Sequence, residues 1–465
     1  MKRGIITMIG VLACAGISAQ TTYDAANTIE KELIGTARYV GMGGAMSAFG
    51  NDISTISTNP AGIGTYTTNE VNFTGSFYGT KTAMGETSMK ANSVSSMNWY
   101  SKESKSGINA SADVLSFVLF NRLGGNKSLK NVNLGFSYRK LNSTDRTLTY
   151  YDSFTDNDGF EVFRDFESNI TNRLKTYDLN VALNFNNKLY LGYTLGMLSS
   201  SYSSTGYFYD YYPEQPGFDV VTDYHSADMM TAQYATGYNM SFGMIYRPFK
   251  ALRFGLSVKT PIWYGVELDY ADYLYALNGE PKDGEKFTQY ADYRFTSPWT
   301  VNASAGLTFL KTAIGVEYEH NFANTVMLMD NNKVYLDDQG TYDLQNYGTW
   351  RVGLEQNIGK FSLRAGYNYT SPMFNKQSFK FVGDTDFNNN RMDFQTERHD
   401  GTRNISCGLG YCATVGNNGQ QFYVDMAYVN SLRKSIFTLS EYDDDPVLDY
   451  ETKTNRLLIS VGCTF

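Results

Sequence analysis

The last eleven residues, "NRLLISVGCTF" (Asn455–Phe465), alternate with period two. Leu457, Ile459, Val461, Cys463 and Phe465 fall on one face of an extended strand, and Leu458, Ser460, Gly462 and Thr464 on the other. In a soluble sandwich the apolar face is the core and the opposite face is solvated. Here the opposite face is small and polar rather than charged. An apolar exterior over a small polar interior is the pattern of a transmembrane barrel strand. "TVNASAGLTF" (Thr300–Phe309) repeats it, with Val301, Ala303, Ala305, Leu307 and Phe309 opposing Asn302, Ser304, Gly306 and Thr308. So does "KFSLRAGYNY" (Lys360–Tyr369), where Phe361, Leu363, Ala365, Tyr367 and Tyr369 oppose Ser362, Arg364, Gly366 and Asn368.

The bulk composition agrees. Charged residues make up 18% of the 465, against about 25% in ordinary soluble domains. Tyr (37), Phe (29) and Gly (42) are abundant and His (3) is scarce. The net charge of -8 and the absence of a basic stripe exclude a nucleic-acid partner. No apolar run beyond the N-terminus is long enough for a membrane helix.

The expected fold is all-β, a transmembrane antiparallel barrel of about 14 strands. The strands are expected near 70–80, 109–122, 131–148, 175–186, 188–204, 230–247, 251–269, 289–309, 312–328, 346–357, 360–370, 401–413, 421–437 and 453–465. Tight turns such as "FNNKL", "RPFKA", "LKT" and "NIGKF" alternate with long polar segments at 149–174, 205–229, 270–288, 329–345 and 371–400. That alternation puts every long loop on one side of a membrane. The terminal Phe465 resembles the C-terminal signal read by barrel-assembly machinery, an expected partner.

Ahead of the barrel, "MKRGIITMIGVLACAGISAQ" has a basic start, an apolar stretch and small residues before Gln20, as an export signal over 1–19 requires. "VLAC" offers a lipoprotein alternative ending at Cys14. Without Cys14, the odd set Cys407, Cys412 and Cys463 lacks metal spacing and reads as small wall residues. Residues 20–66 then form a plug and 67–465 the barrel. The plug holds "GMGGAMSAFGNDISTISTNPAGI" (Gly41–Ile63). Gly41 and Gly43 begin a dinucleotide-like pattern, but Met46 stands at its third glycine and no strand precedes it. No cofactor is expected. Small side chains suit a segment packed inside a wall, and Asn59–Gly62 reads as a turn just before the first strand.

"ARYVGMGGAMSAFGNDISTISTNPAGI" (Ala37–Ile63) resembles the N-terminal signature of the FadL-type outer-membrane transport proteins, which carry long-chain fatty acids and aromatic hydrocarbons. The family's hatch matches at Gly41, Gly43 and Gly44, and its Asn-Pro-Ala pattern at Asn59, Pro60 and Ala61, followed by Gly62. The strand pattern and Phe465 extend the likeness along the chain. The resemblance implies a monomeric barrel in the outer membrane of a Gram-negative bacterium, with a hydrophobic ligand pocket above the hatch. It also implies release sideways into the membrane lipid through a kink in the third strand. No proline, and only Gly135, marks such a kink in 131–148. Some family members are labelled hemin receptors, and related barrels serve as secretion-system components.

Strand parity turns Arg139, Arg253, Lys259, Glu317, Glu319, Arg351, Glu355, Arg364 and Asp425 inward. Arg139, Arg253, Lys259, Arg351 and Arg364 are candidate anchors for a ligand carboxylate. Equally, the mixed signs suit a self-neutralising network filling the lumen. Haem or hydrolase chemistry wants placed histidines, and His225 and His399 fall in expected loops while His320 has outward parity. No metal site is expected. "DNDG" (Asp156–Gly159) with Glu161, and "YDDDP" (442–446), read as solvated acidic loops rather than calcium sites, since Phe154 occupies the first ligand position. The aromatic run "GYFYDYYPEQPGF" (206–218) is a ligand landing patch or a packed loop cap. Pro261 and Pro298 interrupt strands seven and eight at similar heights and suggest a weakened lateral seam. The function expected is passive uptake of small hydrophobic molecules, not catalysis; docking of secreted or surface proteins is the alternative.

Overall fold

Long apolar-polar alternation gives strands, and with no free edge tolerated in lipid those strands close on themselves. The computed structural model describes residues 28–84, 104–105, 108–123, 128–155, 161–212, 222–277, 280–330, 344–374, 396–415, 420–438 and 447–465. The strands are β1 (Glu70–Met84), β2 (Asn109–Arg122), β3 (Leu129–Thr155), β4 (Glu161–Phe185), β5 (Leu189–Tyr212) and β6 (Thr222–Tyr246). Then come β7 (Leu252–Lys259), β8 (Trp263–Leu277), β9 (Glu280–Thr296), β10 (Trp299–Phe309), β11 (Thr312–Phe322) and β12 (Met327–Asp330). The chain finishes with β13 (Tyr347–Ile358), β14 (Phe361–Thr370), β15 (Thr396–Val415), β16 (Gln420–Thr438) and β17 (Val447–Thr464). Ser104–Lys105 extends β2 beside β1.

All neighbouring pairs are antiparallel, and β1 closes the ring against β17 from Glu70↔Thr464 to Met84↔Tyr450. The wall has 14 strands, because β7–β8, β9–β10 and β11–β12 are each one wall strand broken in two. Those breaks correct the continuous strands expected at 251–269, 289–309 and 312–328. Pro261 and Pro298 sit inside the gaps, not in ladders. The amides freed there find hydroxyls: Ile262 N donates to Ser297 Oγ (2.8 Å), Trp299 N to Thr325 Oγ1 (3.1 Å) and Met240 N to Thr260 Oγ1 (2.9 Å).

Each break shifts the parity by one residue. Below it, Arg253, Gly255, Ser257 and Lys259 of β7 face inward and Phe254, Leu256 and Val258 outward; above it, Tyr264, Val266 and Leu268 of β8 are buried while Trp263 and Glu267 are exposed. The same inversion takes β10, with Thr300 and Asn302 inward, to β9, with Tyr293 and Phe295 inward. The lower wall is therefore apolar outside and polar inside, as lipid demands. The upper wall is apolar inside and polar outside, as water demands. Trp263, Trp299 and Trp350 face out near this transition, where an aromatic girdle belongs.

The inversion also explains a second correction. Segments 149–174, 205–229 and 270–288, expected as loops, are largely strand. β3 has 27 residues, roughly 90 Å of extended chain, several times the apolar band of a membrane barrel. Its upper hairpin with β4 buries Leu148, Val162, Phe166 and Ile170 inside and exposes Glu161 and Asn169. The export signal, both acidic loop candidates (156–160 and 439–446), residues 213–218 of the aromatic run, and most of the expected loops 329–345 and 371–400 lie outside the described residues.

Candidate functional site in the lumen

The N-terminal segment reaches the inner face of nearly every wall strand. Its helix α1 (Ala37–Gly41) is five residues long, far below what holds a helix alone. Tertiary bonds hold it instead. The Thr36 side chain accepts from Tyr39 N and donates to Asp52 Oδ2 (2.6 Å), and Ala37 N donates to Ser460 Oγ of β17 (2.7 Å). Asp52 in turn caps the 3-10 turn Ile53–Ser57, and burial pushes its carboxyl above the ordinary range against those hydrogen bonds. Asn59 caps the next turn, Pro60–Thr65: its Oδ1 accepts from Ala61 N (3.1 Å), and Pro60 fills the first helical position, where no donor is needed. The same amide donates to Met244 O of β6 (3.0 Å), so the Asn-Pro-Ala-Gly run is both a turn and a wall contact.

Inward glycines of the wall make the fit possible. A Cβ on Gly366 would stand 2.0 Å from Gly43 N, one on Gly192 2.3 Å from Ala61 N, and one on Gly353 2.3 Å from Met42 O. Gly43 and Gly44 themselves hold φ of 61° and 81°, a region costly for any other residue. Gly62 lies against Thr55 and Gly50, and Gly41 against Gly408.

Ionic bonds tie this packing together. Arg38 of α1 makes a two-pronged bond to Glu355 (2.9 Å on both prongs), Glu355 accepts from Arg364 (2.7 Å), and Arg364 reaches Asp425 (2.5 Å). Arg351 bonds Glu317 (2.7 Å) and Glu319 (3.3 Å). Arg253 donates to Phe49 O (2.7 Å) and Lys259 to Ser57 O (2.6 Å). The inward charges expected from parity are thus mostly a neutralised network gripping the segment.

Above it lies a cavity of about 150 Å³. Of the five anchor candidates, Arg139, Lys259 and Arg351 line it; Arg253 and Arg364 do not. Lys31 joins them, and Asp178 and Glu319 balance Arg139 and Arg351. Glu30 and Glu32 bring the lining carboxylates to four, and the lining also holds Leu141, Leu198, Ile262 and Met373, continuous with the buried cluster of Leu174, Tyr264, Phe295 and Leu328. Sequence parity missed Ile262 and Tyr264 because the Pro261 gap shifts the register.

Leu141 marks another feature the sequence hid. The β2–β3 ladder ends at Val114↔Arg139, and β3 bulges between Lys140 and Asn142. Glu32 takes up what β2 leaves: its amide donates to Leu141 O (2.8 Å) and its carboxylate accepts from Ser143 N (3.2 Å) and Arg456 (2.8 Å). β3 thus carries a register shift at Leu141 without proline or glycine, and the N-terminal segment bonds to it.

Elsewhere, His320 faces outward among Tyr318 and Phe322. Among the described residues no His, Cys, Asp and Glu cluster is arranged for a metal ion.

The fold and lumen together define a segment-filled, 14-stranded membrane barrel. A Pseudomonas aeruginosa FadL homologue has a similar structure, with a TM-score of 0.59 at 13% identity over 97% of this chain and 99% of that one. The P. putida toluene transporter TodX gives 0.54 at 13% identity over 93% and 99%. The Ralstonia pickettii toluene transporter TbuX gives 0.50 at 12% over 93% and 99%. No protein-family model matches the sequence, and no curated protein matches it. At such identities the likeness establishes the FadL-type fold.

Proposed function

We propose that this chain is an outer-membrane channel for passive uptake of small hydrophobic molecules, such as aromatic compounds or long-chain fatty acids. The observation that carries the reading is the lumenal cavity, lined by Lys31, Arg139, Lys259 and Arg351 with as many carboxylates, by the apolar Leu141, Leu198, Ile262 and Met373, and by residues 29–34 and 56–58 of the N-terminal segment. A cavity of this size accepts one aromatic ring or the head and first methylenes of a fatty acid. The structural neighbours described as a FadL homologue and as toluene transporters support it. In this reading residues 20–66 form a hatch, Gly41, Gly43, Gly44 and Asn59–Gly62 seat it, and the barrel acts as a monomer with its long hairpins outside the cell.

The ligand leaves sideways into lipid at β3, because the cavity touches Leu141 where the β2 ladder stops and Glu30 and Glu32 of the hatch bond across the gap. The proline seam is the second place; its freed amides are re-bonded by Thr260, Ser297 and Thr325. Tracer uptake separates the two. Cells lacking the gene should lose uptake of labelled aromatic or fatty-acid tracers and regain it with the wild-type chain. They should regain it equally with Pro261→Thr plus Pro298→Thr. Slowed uptake in that double variant would assign passage to the seam, and unchanged uptake on deleting the gene would overturn the function itself.

A further inference from the structure

Four consecutive outward rungs cross β3, β4, β5 and β6 at the transition from lipid to water. The lowest is Phe136–Leu179–Leu195–Met240, wholly apolar. The next is Tyr138–Tyr177–Met197–Tyr238, with the first two rings 5.4 Å apart. Above it stands Lys140–Lys175–Ser199–Thr236, and above that Arg173–Ser201–Tyr234, whose β3 partner Ser143 is buried against Tyr78. Acyl chain, interface and headgroup are written in that order.

The third rung is unfavourable by itself. Lys140 and Lys175 are direct cross-strand partners on one face, and like charges so placed repel. Asp113 relieves Lys140 in part, through Ser111, while Lys175 has no ion-pair partner among the described residues. Asp145 is engaged by Arg173 and by Tyr78 (2.8 Å). Asp113 is fully buried on β2 and accepts from Ser111, to which Lys140 Nζ donates at 2.7 Å. The hydroxyls of Ser199 and Ser201 complete a surface of donors. Along the same rungs in the next walls Thr236 is followed by Gly265 and Arg294, and Tyr234 by Glu267 and Asp292. Lys140 and Lys175 lie side by side on β3 and β4.

We propose that Lys140 and Lys175, with Ser199 and Ser201, bind the phosphate of a phosphorylated glycolipid headgroup in the outer leaflet. One phosphate bridges the two lysines and removes their repulsion, while the acyl chains lie on the Phe136 and Leu179 rung. The site flanks the β3 bulge, so bound lipid borders the proposed exit. This inference rests on the long hairpins facing the cell exterior, as the proposed function has them.

Native mass spectrometry of the purified full-length barrel with a bis-phosphorylated lipid A disaccharide tests it. The wild type and Lys140→Arg plus Lys175→Arg should retain one lipid. Lys140→Gln plus Lys175→Gln should bind about thirtyfold more weakly, each lysine supplying a factor of about five. Gel mobility before and after heating verifies that all variants are folded. Equal retention by the Gln variant, or of the dephosphorylated lipid by the wild type, would overturn the site. Displacement by millimolar inorganic phosphate would also overturn it as a lipid site, leaving an anion site. Neither lysine lines the lumen, so tracer uptake by the Gln variant stays at wild-type level if only the lipid site fails.

Discussion

Deletion of residues 24–58 should turn a nearly closed barrel into a conducting one. The segment supplies α1, the turn at Ile53–Ser57 and the carbonyls of Phe49 and Ser57 that Arg253 and Lys259 engage. Without it, the wall's inward glycines, asparagines and serines face an open aqueous lumen. Most wall-to-wall ion pairs survive, because Arg351 keeps Glu317 and Arg364 keeps Glu355 and Asp425. In planar bilayers the intact chain should show rare, small openings. The deleted chain should show a steady conductance at least several times larger. Equal conductance from the two proteins would mean that the segment is not a plug.

Glu355→Ala should be the most damaging single change in the lumen. Glu355 is buried and holds two guanidinium groups, Arg38 from the segment and Arg364 from β14. Its removal leaves both cations facing each other, with Asp425 beside Arg364 and only Asp52 near Arg38 to offset them. Breaking a buried pair by removing one partner costs about 3–5 kcal/mol. Part of that cost can be relieved by releasing Arg38, so the segment should loosen before the wall unfolds. Urea unfolding in detergent should show a lowered midpoint, and bilayer recordings should show more frequent openings. Arg38→Met removes only the segment's half of the pair; it should raise the openings while leaving the unfolding midpoint nearly unchanged. An unshifted midpoint for Glu355→Ala would mean that the network does not stabilise the lumen.

How much of this was readable from the residues depends on where lipid ends. In β10, β14 and β17 the alternation runs unbroken, and every inward and outward assignment follows from it. The inward cations Arg139, Lys259 and Arg351 follow by the same parity, although the carboxylates that pair with them come from neighbouring strands and could only be guessed. Above the girdle the rule inverts. The hairpin of Leu148, Val162, Phe166 and Ile170 has water outside, so its polar face resembles a loop to a reader looking for an apolar exterior.

Local irregularities were legible only where proline announced them. Pro261 and Pro298 flagged two gaps, yet nothing in the residues says that each gap shifts parity and turns Tyr264 and Phe295 inward. The Leu141 bulge carries no signal, and the Glu32 amide that bonds it lies more than a hundred positions away in the chain. Lys31 and Glu32 sit in an ordinary "EKEL" run whose importance appears only when it meets β3.

The central claim is that the lumenal cavity holds a small amphipathic molecule. Native mass spectrometry of the purified barrel with a fatty acid, and with the alcohol of equal length, tests it most directly. One acid molecule should be retained per barrel. The alcohol and the Lys259→Gln variant should each weaken retention at least about tenfold, the loss of one charge-assisted hydrogen bond. Absence of saturable binding, or equal retention of acid and alcohol by both proteins, would contradict the account.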